Sequence, residues 1–140
     1  MNNIIDKIDF EKQDGLIPVI TQDNTTNEVL MLAYMNKEAV QLTLDTSYAH
    51  YFSRSKQRIW KKGESSSHTQ AIKSIMMDCD NDTLLLKVDQ EGVACHTGRK
   101  SCFFTDVSTG NLQSEIEVNT TASYGIIETL YQTIQSKKND

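Results

Sequence analysis

Residues 71–89 read AIKSIMMDCDNDTLLLKVD, and the reading of this stretch decides the fold. Two apolar runs flank five residues that carry three carboxylates and one thiol: Asp78, Cys79, Asp80, Asn81 and Asp82. Apolar runs of this length on either side of an Asp/Asn cluster predict two strands joined by a turn. Such a cluster is either solvated or holds something positive. Period-2 alternation sends Asp78 and Asp80 to one face of the strand and Cys79 to the other. Two metal sites are therefore expected, oxygen ligands suiting a hard cation such as Mg²⁺ and thiolate suiting Zn²⁺. The bland alternative is a solvated turn, which Asp and Asn favour anyway. A calcium EF-hand is a poor fit, because Thr83 stands where that loop needs glycine and no helices flank it.

Outward from this stretch the chain is mostly β. LIPVITQ and EVLMLAYM predict two strands with DNTTN as their turn, and YAHYFSRS with QRIWKKG predicts a second hairpin. Asn36 reads as the N-cap of a helix that places Ala39, Val40 and Leu44 at helical spacing. The strands at 71–80 and 83–89 are expected to continue into GVACH as a three-stranded meander, with FFTDVSTGNL as one more strand ending at Gly110. NIIDKIDF predicts a short amphipathic turn of helix. SYGIIETLYQTIQSKK puts Ile126, Ile127, Leu130 and Ile134 on one face of a C-terminal helix. The expected fold is a compact antiparallel β domain (mainly β, α+β) with one internal helix and one at the end.

The composition narrows the function. With 140 residues the chain fits one domain, and 38% hydrophobic and 24% charged residues describe a globular protein. No run is long enough to span a bilayer, and MNNIIDKIDFEKQDG lacks the marks of a signal peptide, so the cytoplasm is expected and no membrane partner. A net charge of −5 argues against nucleic acid, since phosphate neutralisation needs clustered Lys and Arg. RSKQRIWKK is the one basic stretch and reads on charge alone as a solvated hairpin. The three cysteines, Cys79, Cys95 and Cys102, are odd in number, which speaks against a disulfide framework. Each alone reads best as a buried thiol; together, with His96 beside Cys95, they point towards metal.

Their spacing matches no zinc finger, and three protein ligands suit a catalytic zinc whose fourth position is left for water. In the expected meander, Cys79 and Cys95 share a sheet face with one strand between them, roughly 10 Å apart. Thiolates on one zinc lie about 4 Å apart. Either the register differs, or Cys79 meets the Cys95/Cys102 pair of a second subunit.

MLAYMN, YAHYFSRSKQRIWKKGESSSHTQ, DCDNDTLLL and ACHTGRKSCFF resemble, in order and spacing, the motifs of the phosphoribosyl-AMP cyclohydrolases. The resemblance covers residues 15–107. It implies a mainly β, intertwined homodimer with active sites at the subunit interface. It implies zinc on Cys79, Cys95 and Cys102 drawn from both subunits, and Mg²⁺ on Asp78, Asp80 and Asp82. The implied reaction is the third step of histidine biosynthesis, in which a zinc-activated water opens the adenine ring of N1-(5-phosphoribosyl)-AMP at the N1–C6 bond. His96 and His68 are then the candidate general bases, histidine suiting neutral pH, and His50 is structural. Arg54, Lys62 and Arg99 are the candidate phosphate anchors, and Glu64 orients a base or touches the ring amine.

Two departures from the family pattern stand out. Ser67 occupies the place of a usual glycine before His68; if that residue adopts positive φ, Ser67 carries about 1 kcal/mol or more of strain. Also, GIIETLYQTIQSKKND resembles the opening helix of phosphoribosyl-ATP pyrophosphohydrolase, the domain fused to this one in bifunctional enzymes, without its acidic metal-binding helices. The chain is then expected to be the front half of a fused enzyme, or a descendant of one, with a cyclohydrolase domain over 1–110 and an extension over 111–140. Turnover of phosphoribosyl-ATP by these 140 residues would contradict it. The rival from another class is a non-catalytic zinc-stabilised β module with a closed metal shell, which chelation would unfold. A zinc nucleoside deaminase needs H-x-E and P-C-x-x-C, and neither is present.

Overall fold

The computed structural model describes residues 4–119. The expected C-terminal helix over 123–138 lies outside them. Six strands and one α-helix form the frame: β1 (Ile17–Asp23), β2 (Val29–Met35), α1 (Lys37–Thr46), β3 (His50–Ser53), β4 (Arg58–Lys61), β5 (Gln70–Met77) and β6 (Leu84–Gln90), preceded by 3-10 turns at Ile4–Lys7 and Glu11–Gln13. Mainly β with one internal helix is what the patterning predicts.

The four-stranded sheet runs β2-β1-β6-β5, and β3 and β4 form a separate hairpin. The sheet is not wholly antiparallel. β1 pairs with β2 and β5 with β6 in antiparallel fashion, but β1 and β6 run parallel. The expected meander fails because GVACH is not a strand: after Gln90 the chain leaves the sheet in bends and turns, and the open side of β6 is taken by β1. FFTDVSTGNL likewise contributes only an isolated bridge, Thr105 to Leu112. Long-range pairing of this kind leaves no local trace, since periodicity reports faces and not neighbours.

One sheet face makes the core. Ile17, Val19 and Thr21 of β1 and Leu84, Leu86 and Val88 of β6 are buried, together with Leu30, Met35, Ala39, Val40 and Tyr51 from the elements packed on them. Asn36 caps α1 through a 2.8 Å bond from the Ala39 N–H, as expected. Leu44 does not join the apolar face and is 42% exposed. Thr43 is buried instead, because its hydroxyl accepts from the His50 N–H at 3.0 Å and ties α1 to β3. His50 Nδ1 lies 2.9 Å from the Tyr48 carbonyl, a structural role.

A polar chain crosses the core. The Thr21 hydroxyl donates to Tyr51 Oη at 2.7 Å, and Tyr51 donates to Gln70 Oε1 at 2.5 Å. Gln70 Nε2 then donates to Gln90 Oε1 at 2.8 Å. Every buried dipole in this line finds a partner, which locks the β3–β4 hairpin to the sheet. The opposite face carries a row of cross-strand neighbours, Leu32, Ile20, Leu85 and Met76, one from each strand. Leu32 is 47% and Met76 60% exposed. No helix among the described residues is long and apolar enough to cross a membrane.

Candidate active site

The loop after β6 builds a tight turn that presents two thiols. Cys95 N–H donates to the Arg99 carbonyl at 3.1 Å and Gly98 N–H to the Cys95 carbonyl at 3.0 Å. Glu117 and Val118 N–H groups both donate to the Gly98 carbonyl. A Cβ at Gly98 would overlap the Val118 carbonyl, so only glycine lets the 114–118 segment lie on this turn. Ser101 anchors the end of the loop, its hydroxyl donating to the Val29 carbonyl at 2.7 Å, and Cys102 N–H donates to the Leu30 carbonyl at 2.7 Å.

This loop faces the β3–β4 hairpin across a cavity of about 420 Å³ lined by Met31, Trp60, Lys62, Glu64, His96 and Cys102, among others. Cys95 is buried, its sulfur 3.1 Å from the Thr97 hydroxyl, and its titration is tied to that of Cys102. The bond from Cys102, with help from the Thr97 hydroxyl and backbone and the His96 charge, outweighs burial and holds the Cys95 thiol down to about 5. Cys102, which donates the shared proton, is pushed up. The pair thus carries one negative charge and one proton, a place where a soft cation can replace the proton. Lys62 is 7% exposed, its ammonium donating to the Ala94 carbonyl at 2.5 Å. Burial lowers its pKa, and the Cys102 and Cys95 sulfurs oppose that fall.

The acidic stretch is a turn rather than the end of a strand. β5 stops at Met77, and Asn81 takes the left-handed conformation, φ 65°. Asp78 Oδ1 accepts the N–H groups of Asp82 and Thr83 at 3.0 and 3.2 Å. The expected alternation of faces therefore does not apply here. The turn instead gathers one carboxylate oxygen each from Asp78, Asp80 and Asp82 within 4.8 Å of one another. Their mutual bonding and repulsion raise the Asp80 carboxyl. Lys12, a residue the sequence did not single out, answers this charge: its ammonium lies 3.1 Å from Asp82 and 3.8 Å from Asp80. Lys12 is 66 or more residues away in sequence, so no local signal could have found it.

The donor chemistry fits both metals. Three carboxylate oxygens suit a hard cation such as magnesium, and paired sulfurs suit zinc. The third sulfur is elsewhere. Cys79 is exposed on the acidic turn, and among the described residues the carboxylate trio is the only group of three or more His, Cys, Asp or Glu donors within ligating distance. Cys79 follows one edge strand, β5, while Cys102 docks on the other, β2. Three strand spacings of about 4.8 Å already separate them by roughly 14 Å. The meander register is corrected, and the gap it raised is wider than expected.

The remaining candidates divide. His96 is exposed and lines the cavity; Glu64 also lines it, paired with Arg58 at 3.4 Å. His68 does not line it: a Cβ at Gly92 would come within 2.5 Å of its imidazole, and its Nδ1 is buried with no hydrogen-bond partner among the described residues. Ser67, before it, has φ 67°, so the strain foreseen for a residue in place of glycine is present. Arg99 stacks on the Phe104 ring at 4.3 Å and donates to the Ser114 carbonyl. Arg54 lies over the Tyr34 ring at 4.1 Å, in a second cavity.

Comparison with known proteins identifies the family of the chain. The sequence signature of phosphoribosyl-AMP cyclohydrolase matches residues 31–104, a span that contains both cavities' strands, the acidic turn and all three cysteines. The histidine biosynthesis bifunctional protein HisIE of Wolinella succinogenes is 57% identical over 141 residues, covering 99% of this chain and 61% of that protein. The chain thus spans less than two thirds of that relative's length. The phosphoribosyl-AMP cyclohydrolase of Streptococcus thermophilus is 59% identical over 105 residues, covering 75% of this chain and 94% of its own length. That of Desulforapulum autotrophicum is 59% identical over 106 residues, covering 75% and 85%. With more than half of its length matched and relatives of such identity covering three quarters of it or more, the chain belongs to the phosphoribosyl-AMP cyclohydrolase family.

Proposed function

We propose that this enzyme hydrolyses the N1–C6 bond of the adenine ring in N1-(5-phosphoribosyl)-AMP, the third step of histidine biosynthesis, in the cytoplasm. The observation that carries the reading is the convergence of Cys102, Lys62 and His96 on one cavity, with Cys95 buried behind its wall, in a chain of this family. Cys95 and Cys102 of one subunit and Cys79 of another would hold zinc, and Asp78, Asp80 and Asp82 would hold magnesium. Zinc held by these three thiolates would supply a water with its pKa lowered towards neutrality.

The chain's own residues do the rest. Trp60 offers the purine a flat apolar wall, and the Arg58–Glu64 pair sets a carboxylate beside the ring amine. His96 takes a proton from the attacking water. The oxygen joins C6, the C6–N1 bond breaks, the proton held by His96 passes to N1, and the second water proton leaves the C6 hydroxyl as the carboxamide C=O forms. The products are a carboxamide at C6 and a formimino group bearing N1, so ammonia is not lost. Lys56, Arg58 and Lys62 give the cavity the positive charge that a phosphorylated substrate needs.

A homodimer is part of this proposal. A metal with three sulfur ligands needs a second copy, because the sulfurs of one copy do not meet. The apolar row Leu32–Ile20–Leu85–Met76 is a surface on which such a copy can rest. Turnover of phosphoribosyl-AMP by purified protein, followed by product absorbance, tests the reading, with Cys95→Ser as control. Activity that survives in that variant refutes it.

A further inference from the structure

We infer that Arg54 works in trans: it binds a phosphate of the substrate seated in the other subunit's Cys95/Cys102 cavity. The inference rests on the shared zinc proposed above. The two cavities share no lining residue. Alternation along β3 separates them, Ser53 facing the first while Phe52 and Arg54 line the second. Arg54 thus points away from the His96 and Lys62 of its own chain. Its guanidinium stacks on Tyr34, and no carboxylate among the described residues pairs with it. The flank of its cavity, about 740 Å³, is Gln13 and Asp14. The residue before them, Lys12, is bonded to Asp82 and reaches Asp80, both in the turn that bears Cys79. Whatever carries Cys79 to another subunit's sulfur pair carries the Arg54 cavity with it.

The substrate chemistry asks for such a group. A nucleotide with a phosphate at each end needs two cationic stations. Lys56, Arg58 and Lys62 supply one on the subunit that gives Cys95, and a guanidinium free to grip phosphate with two N–H groups supplies the other.

Heterodimers made by co-expressing two differently tagged variants, purified through both tags and assayed well below the wild-type KM, test it. Arg54→Ala is expected to bind AMP more weakly in calorimetry while its zinc content equals that of wild type. Paired with Cys95→Ser, it regains one intact site per dimer, about half of wild-type activity in an isologous pair. Paired with Cys79→Ser it stays inactive, since both defects fall on one side of each site. If Cys79→Ser with Cys95→Ser recovers activity but Arg54→Ala with Cys95→Ser does not, the trans role of Arg54 is overturned and the shared zinc stands. If Cys79→Ser with Cys95→Ser does not recover, the shared zinc falls, and this inference with it.

Discussion

At the Cys95–Cys102 cavity the reactive groups are held by the core; at the Asp78–Asp82 turn they are held by one another. Cys95 is buried, and Lys62 is seated on a backbone carbonyl beside it. The three aspartates are mostly solvated, bound to their own turn N–H groups and to a single lysine. The difference teaches what each place is suited to. Burial makes charge expensive, which disfavours two thiolates side by side unless a cation joins them. Water screens charge, so the turn tolerates three carboxylates and suits a cation that keeps part of its hydration. Under the proposed function the two are halves of one site.

The sharpest way to break this comparison is to remove a sulfur. Cys95→Ser should lower kcat/KM by at least about a thousandfold, ~4 kcal/mol of transition-state stabilisation, with zinc content per chain falling in parallel by elemental analysis. A variant that keeps wild-type kcat/KM, or that loses activity with its zinc content unchanged, would remove the sulfurs from the argument.

Second in size is the support beneath the cavity. Tyr51→Phe leaves Gln70 Oε1 and the Thr21 hydroxyl short of a partner in the core. Denaturant unfolding should show a loss of about 2 kcal/mol. A neutral result would mean that the β3–β4 hairpin is held without this polar chain.

On the acidic side, Asp80→Asn should raise Tm in the absence of divalent ions, because it relieves repulsion from Asp78 and Asp82. It should also weaken magnesium binding about tenfold, as read by calorimetry. Both signs must hold: a Tm that falls without metal would show the trio to be a structural turn only.

Asp23 is the buried counterpart of these carboxylates. Burial pushes its carboxyl up, but the Thr25 and Thr26 N–H groups and the Lys100 ammonium outweigh it and hold it below the ordinary 3.8. A carboxyl lowered on folding stabilises fully above its unfolded pKa and loses that contribution as pH falls through its folded value. The stability gap between wild type and Asp23→Asn, about 1 kcal/mol, should therefore be level near neutrality and close below about pH 4. The smallest expected effect is a gain. Ser67→Gly relieves the left-handed backbone at φ 67°, for about 0.5–1 kcal/mol of added stability by thermal melting. A loss would mean that the Ser67 side chain itself holds the loop before His68.

Much of the site was legible from residue type. Paired strands round an Asp/Asn turn, the Asn36 cap and the β3–β4 hairpin are local, and each was anticipated in place. Leu44 was misassigned because a helical spacing cannot tell which neighbour will need a threonine hydroxyl more than a leucine side chain. Lys12 and the Gly92 contact with His68 depend on segments far apart in sequence, and nothing local marks them.

By itself the sequence determined the β-rich frame, the turn that bears three carboxylates, and the family to which the chain belongs, because strand period, turn chemistry and motif order are properties of neighbouring residues. Only the tertiary structure decided that β1 lies parallel to β6, that Cys95 and Cys102 touch while Cys79 stands at the far edge of the sheet, and that Arg54 and Lys62 face different cavities. Those outcomes turn on which hydrophobic face covers which, a choice settled by packing of the whole core and written in no single stretch of chain.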